Sequence, residues 1–208
     1  MNASFTKLWQ MTAALGLLGS FGCSVVPEPQ ADLTRYYVLG DTVTVSESTP
    51  MGSGLVVGLT KVELPTYLDK GAVVVRHAEN ELVYNDYARW AEPLADSLGR
   101  IVQGRLMASS RVTRVFTEGF PFDKKRDCDV SVGIQRCEGI DLDGRFVARF
   151  VATIEITSTG SNGAVLVRKV FAAPETEWDG RDYGALVQRL TQAASSLGDE
   201  VVAALPPK

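Results

Sequence analysis

Phe146-Val147-Ala148-Arg149-Phe150-Val151-Ala152-Thr153-Ile154-Glu155-Ile156 is the stretch that decides the fold. Every second residue from Phe146 to Ile156 is apolar, while Arg149, Thr153 and Glu155 fall between them. In an extended chain successive side chains point to opposite faces, so this pattern predicts a strand with one buried and one mixed face. Upstream, Val130, Val132 and Ile134 alternate with Ser131, Gly133 and Gln135, and Asp143-Gly144 between the two runs is a turn signal. Downstream, the loop from Ser158 to Gly163 ends in Asn162-Gly163 and Val165 to Phe171 returns. A meander with one apolar face needs a helical layer on that face.

Two segments supply that layer. Pro93 suits a first helical turn and Glu92 adds favourable charge there. Leu94, Leu98, Ile101, Val102 and Leu106 then fall on one helical face. A second helix is predicted from about Tyr183 to Ala204, capped by Asp179 or Asp182 and stopped by Pro206-Pro207. Its buried stripe is Leu186, Leu190, Ala193, Leu197 and Val201. Earlier strands are read at Arg35 to Gly40, Leu55 to Leu64 and Ala72 to His77, with a return through Asn80 to Tyr84 and a further run from Arg111 to Phe116. Residues 41–53 read as a loop. The fold class expected is α+β, a two-layer sandwich of a mostly antiparallel sheet and two main helices.

The first 22 residues differ from the rest. Met1 to Lys7 is polar with one basic side chain, Leu8 to Leu18 is apolar without charge, and Gly19, Ser20 and Gly22 lead to Cys23. That order describes an export signal, and the apolar run is too short for the roughly twenty residues a membrane span needs. Leu18 to Cys23 resembles the bacterial lipobox, with Ser20 and Phe21 where the pattern favours Leu and a small residue. The resemblance implies that Cys23 carries palmitate-type acyl chains and becomes the new N-terminus. Ser24, rather than Asp, implies sorting to the outer membrane, with the domain facing the periplasm. The chain then divides into a signal (1–22), a lipidated N-terminus and Pro-containing tether (23–33), and one domain (34–208).

Composition narrows the function. The chain has 21 basic and 25 acidic residues and a net charge of −4. Nucleic-acid binding calls instead for a basic patch. The single histidine, His77, lies in a strand-like run. Cys128 and Cys137 make no CxxC, so neither a metal site nor a cofactor is expected. Gly52-Ser53-Gly54 with Gly58 matches no phosphate-binding motif. No catalytic residue is assigned, and an enzyme is not expected. On a straight strand Cys128 and Cys137 would sit about 30 Å apart on opposite faces, too far for a disulfide, so both are expected as free thiols. Asp69 and Arg76 are candidates for an ion pair.

Three segments carry a family resemblance. They are Tyr36-Tyr37-Val38-Leu39-Gly40, Val62-Glu63-Leu64-Pro65-Thr66-Tyr67-Leu68-Asp69, and Asn80-Glu81-Leu82 leading to Arg89-Trp90-Ala91-Glu92-Pro93-Leu94. Together they resemble the ABC-type transport auxiliary lipoproteins, the PqiC-like family, over roughly residues 34 to 205. The resemblance implies an outer-membrane subunit of an intermembrane lipid transport system. Its partners would be a periplasm-spanning MCE-domain protein and inner-membrane transporter components. A homo-oligomeric ring is also implied, and an apolar surface for lipid passage is open on this reading. Pro65, Tyr67, Leu68 and Asp69 are then the partner-interface candidates. Tyr37, Leu39, Gly40, Trp90, Glu92, Pro93 and Leu94 are motif residues with structural roles. The alternative is an envelope lipoprotein that supports outer-membrane assembly or cell-wall attachment.

Overall fold

A computed structural model describes residues 31–40, 54–117, 125–160 and 163–207; the signal segment, Cys23, most of the tether and the 41–53 loop lie outside them. Residues 34–208 form one compact unit. Its strands are β1 (Arg35–Tyr37), β2 (Leu55–Leu59), β3 (Ala72–His77), β4 (Glu81–Trp90), β5 (Val112–Thr117), β6 (Cys128–Leu142), β7 (Arg145–Ser158), β8 (Val165–Ala172) and β9 (Thr176–Glu177). Its helices are α1 (Leu94–Ala108) and α2 (Tyr183–Ala204).

The spine is the β6–β7 hairpin, paired antiparallel from Cys128↔Ser158 to Leu142↔Arg145. Its turn is the predicted Asp143-Gly144, with φ of 55° and 91°, the left-handed backbone that this residue pair tolerates. Both strands outlast their neighbours, so the sheet forks. The first half of β6 pairs with β2, and β2 with β5, while the second half pairs with β3, followed by β4 and β1. Across the hairpin, β7 carries β8 along one half and β9 along the other.

The α+β class holds, but the sheet is mixed. β1–β4, β2–β5, β2–β6 and β3–β6 are all parallel pairings. Alternation reports which face a residue takes and is silent about the direction of the neighbouring strand. The helices pack on each other, with α2 over β6, β7 and β8 and α1 against β5. Leu98, Leu106, Leu186, Leu190 and Leu197 join Phe150, Ile154 and Ile156 in one core, all almost fully buried.

Helix ends follow their local chemistry. Asp182 caps α2, its Oδ1 accepting the Gly184 N–H at 2.8 Å. Asp179 accepts the N–H groups of Arg181 and Asp182, which holds its carboxyl below the usual range. Both predicted cap candidates therefore take part. Val187, Ala194 and Gly198 complete the α2 stripe, and Ala193 lies at its half-buried margin. At α1, Pro93 is the cap residue, one position before the helix, and its carbonyl accepts from Asp96 at 3.0 Å.

The far end of α2 is closed by a residue from another element. Arg111 donates to the carbonyls of Val202 (2.9 Å), Leu205 (2.6 Å) and Pro206 (3.1 Å). A cation at a helix C-terminus satisfies orphan carbonyls and opposes the helix dipole. Arg111→Ala is expected to cost about 1.5–3 kcal/mol, and Arg111→Lys part of that. Urea unfolding followed by circular dichroism measures it, and an unchanged midpoint would remove the latch role.

Three expectations are corrected. β2 ends at Leu59 rather than Leu64, because the chain then leaves the sheet and touches β6 only at an isolated Glu63↔Gly133 bridge. Val62 turns into the core instead. Strand β4 continues to Trp90, absorbing Asn85 at a pairing irregularity where its Oδ1 accepts the Tyr87 N–H. Cys128 and Cys137 are free, as expected, but both are buried on the same face. A register shift between Ile134 and Arg136 changes the phase of β6, so Cys137 pairs with Phe150 and points inward. Burial raises both thiols, Cys128 to about 11.

Candidate docking surface

The sequence segments singled out above come together in space. Strand β1 pairs parallel with the end of β4, setting Tyr37 beside Trp90, and the Ala91 N–H donates to the Tyr37 carbonyl at 2.7 Å. The segment after β2 makes a tight turn in which Leu68 N–H donates to Pro65 (2.9 Å) and Asp69 N–H to Thr66 (3.3 Å). Gly71, at φ +70°, lets the chain swing back so that its carbonyl receives the Trp90 N–H at 2.9 Å. Between the turn and the start of α1 lies an open hollow of about 300 Å³, lined by Leu68, Asp69, Lys70 and Gly71 on one side and Trp90, Glu92, Pro93 and Leu94 on the other.

The residues differ in what they offer. Leu68, Trp90, Leu94 and Leu39 are buried, so they shape the hollow or its support from within. Of the four interface candidates, Asp69 and the half-buried Pro65 and Tyr67 offer surface, whereas Leu68 is in the core because the turn folds it inward. Glu92 is not free to receive a partner cation. Its carboxylate is held by Arg100, at 2.8 Å through one guanidinium nitrogen, and by the Ser97 hydroxyl. These bonds, Arg100 first, lower its pKa. Gly40 is exposed, with open space where a Cβ would stand, and nothing around it requires glycine.

Beside this hollow lies a charged network that the sequence did not announce. Glu138 is fully buried and accepts from Arg76 Nε at 2.7 Å and from Arg136 at 3.1 Å. The Arg76 guanidinium lies over the Tyr67 ring at 5.7 Å, and the Tyr67 hydroxyl donates to the Gln135 carbonyl at 3.2 Å. Arg76 thus pairs with Glu138 and not with Asp69, because Arg76 and β6 are neighbours in the sheet. The network ties the Pro65–Asp69 turn to the irregular point of β6. No local signal marks it, since Arg76 and Glu138 are 62 residues apart in sequence.

Burial first, then the charge of Glu138, pushes the Tyr67 hydroxyl up to about 12. A folded pKa above the unfolded value near 10 means the neutral phenol stabilises the fold below pH 10. That stabilisation disappears as pH rises from about 10 to about 12. Wild type should therefore lose more stability than Tyr67→Phe between pH 9 and 11.5 in urea melts. Parallel losses would show that Tyr67 does not titrate as described.

Among the described residues no group of three or more His, Cys, Asp or Glu is placed to hold a metal. None of their helices is long and apolar enough to cross a membrane. His77 pairs with Asp141 at 3.2 Å on the sheet.

Comparison with known proteins agrees with this fold. The family described as "ABC-type transport auxiliary lipoprotein component" matches residues 37–202. A Xanthomonas campestris protein of the family labelled DUF330 is 20% identical, with 81% of this chain and 92% of that chain covered at a TM-score of 0.66. An uncharacterised protein is 19% identical, covering 81% and 95% at 0.59. Both share the fold. A PelC dodecamer from Paraburkholderia phytofirmans is 17% identical, covering 77% and 96% at 0.43, too slight a likeness for its assembly to bear on this chain. No curated protein matches.

Proposed function

Since the chain belongs to the family of ABC-type transport auxiliary lipoprotein components, we propose that it is the outer-membrane subunit of an intermembrane lipid transport system. Acylated Cys23 holds the domain on the periplasmic face, where it docks the tip of an MCE-domain conduit. The observation that carries the reading is the convergence of Leu68 and Asp69 from one family segment with Trp90, Glu92, Pro93 and Leu94 from another around one hollow, with an exposed Asp69 at its rim. A turn bound to the sheet through Tyr67 and Glu138 is held in one conformation, and a preformed docking element avoids an ordering cost on binding. The reading assigns the chain no bond-making step. Inner-membrane transporter components and further copies of this chain in a ring complete the assembly on this reading.

The test is a crosslinked pull-down of the full-length protein from native membranes, read by mass spectrometry. Recovery of an MCE-domain protein is expected. Recovery of only barrel or cell-wall components would replace the transport role with a structural one. Intact mass of the detergent-extracted protein should show acyl chains on a chain beginning at Cys23, and a species without acyl mass would remove the anchor.

A further inference from the structure

On the other side of β1 and β4 from the core, the chain exposes aromatic and apolar bulk that the docking hollow does not use. Tyr37 of β1 and Leu39 just after it turn inward, as do Ala88 and Trp90 of β4, which leaves Tyr36, Val38 and Tyr87 facing out. They are 63%, 48% and 59% exposed. The parallel register sets Tyr36 against Arg89, so Tyr87, two residues earlier on the same side, is its diagonal neighbour. Neither tyrosine hydroxyl has a hydrogen-bond partner among the described residues. Arg35 is exposed at the start of β1 and Arg89 is half-buried beside Tyr36.

We propose that this face, Tyr36, Val38 and Tyr87 flanked by Arg35 and Arg89, lies against the phospholipid bilayer in which the N-terminus is anchored. The proposal rests on the reading of Cys23 as the acylated residue. Chain length supports the bilayer as occupant. Arg35 follows Cys23 by twelve residues, a reach of at most about 40 Å, so β1 is the first element of the domain held near the anchor. The chemistry fits as well. Tyrosine carries an apolar ring and a polar tip and concentrates at the membrane–water boundary, and arginines beside it meet lipid phosphates. Area argues against a second copy of the chain. Two tyrosines and a valine at these exposures offer roughly 300–400 Å², below the ~800 Å² per partner of a stable interface. A bilayer contact needs no such area, because the acyl chains already supply the affinity.

The test uses the full-length mature lipoprotein in vesicles of phosphatidylethanolamine and phosphatidylglycerol. Cys128 and Cys137 are buried, so Tyr87→Cys can be labelled selectively with an environment-sensitive fluorophore. Val170→Cys on β8, 61% exposed, is the control. Quenching of the label at position 87 by headgroup-spin-labelled lipid, at least twofold above that at position 170, is the expected result. Equal, weak quenching at both sites in acylated protein would overturn the proposal and leave the anchor intact. A blue shift at position 87 without lipid quenching would overturn it in favour of a second copy. Intact mass of the same sample reads the anchor separately, and absence of acyl mass would overturn both. Tyr36→Asp, whose site is exposed and should leave the thermal midpoint unchanged, is expected to halve the quenching at position 87.

Discussion

Glu138→Ala should destabilise the domain by about 3–5 kcal/mol, because it strands a guanidinium inside the protein. The side chain of Glu138 has no exposure and that of Arg76 only 12%. Removing the acceptor leaves Arg76 with little water and one carbonyl, that of Glu79. At ~2–4 °C per kcal/mol for a domain of this size, the melting midpoint should fall by roughly 10 °C. The effect is local as well as global. With Arg76 unpaired, the Tyr67 ring loses its cover, and amide exchange at Leu68 and Asp69 should quicken, since their N–H groups close the turn. Glu138→Gln keeps the shape and loses the charge, and should fall between alanine and wild type. Arg76→Met with Glu138→Leu should recover much of the loss, as apolar replacement of a buried pair often does. A Glu138→Ala cost below about 1 kcal/mol would show that the pair is solvated and that the turn is held by other means.

Phe150→Ala should cost a similar amount, about 3–5 kcal/mol, by a different route. Phe150 is 1% exposed, faces Cys137 across the hairpin and meets Phe171 edge-to-face at 6.3 Å. Truncation removes apolar area and leaves a cavity in a place where two long paired strands resist collapse. Phe150→Leu, closer in volume, should lose less than half as much. Denaturant unfolding separates the two, with the midpoint moving and the slope unchanged. Equal behaviour of the two variants would place Phe150 at a yielding site and not at the centre of the core.

What could be read in advance depended on how local its cause was. The inward face of β7 from Ala148 to Ile156 follows from period two, and the two ends of α2 follow from Asp182 and Pro206. Those are short-range rules, and both held. The parallel pairings of β2 and β3 with β6 have no local cause. They depend on where α1 returns the chain, and alternation looks the same beside a parallel or an antiparallel neighbour. The irregularity at Gln135 was equally invisible, since neither Gly nor Pro marks it, and it turned Cys137 inward against the straight-strand expectation. At the docking surface, Pro65, Tyr67, Leu68 and Asp69 follow from one motif and Trp90 from another, and the fold brings the two motifs together while turning Leu68 into the core. Glu138, flanked by Cys137 and Gly139, carries no local sequence signal of burial. Its partner Arg76 lies in another strand, 62 residues away in sequence, so only the fold exposes its role.

On the proposed function the Pro65–Asp69 turn meets a periplasm-spanning partner. A photoreactive residue placed at Asp69 in the full-length protein in native membranes tests it most directly, with Ser196 on the exposed side of α2 as control. A covalent adduct with an MCE-domain protein is expected from position 69 and none from position 196. An adduct from position 69 with only β-barrel or cell-wall components, or equal capture of the MCE protein from both positions, would contradict it.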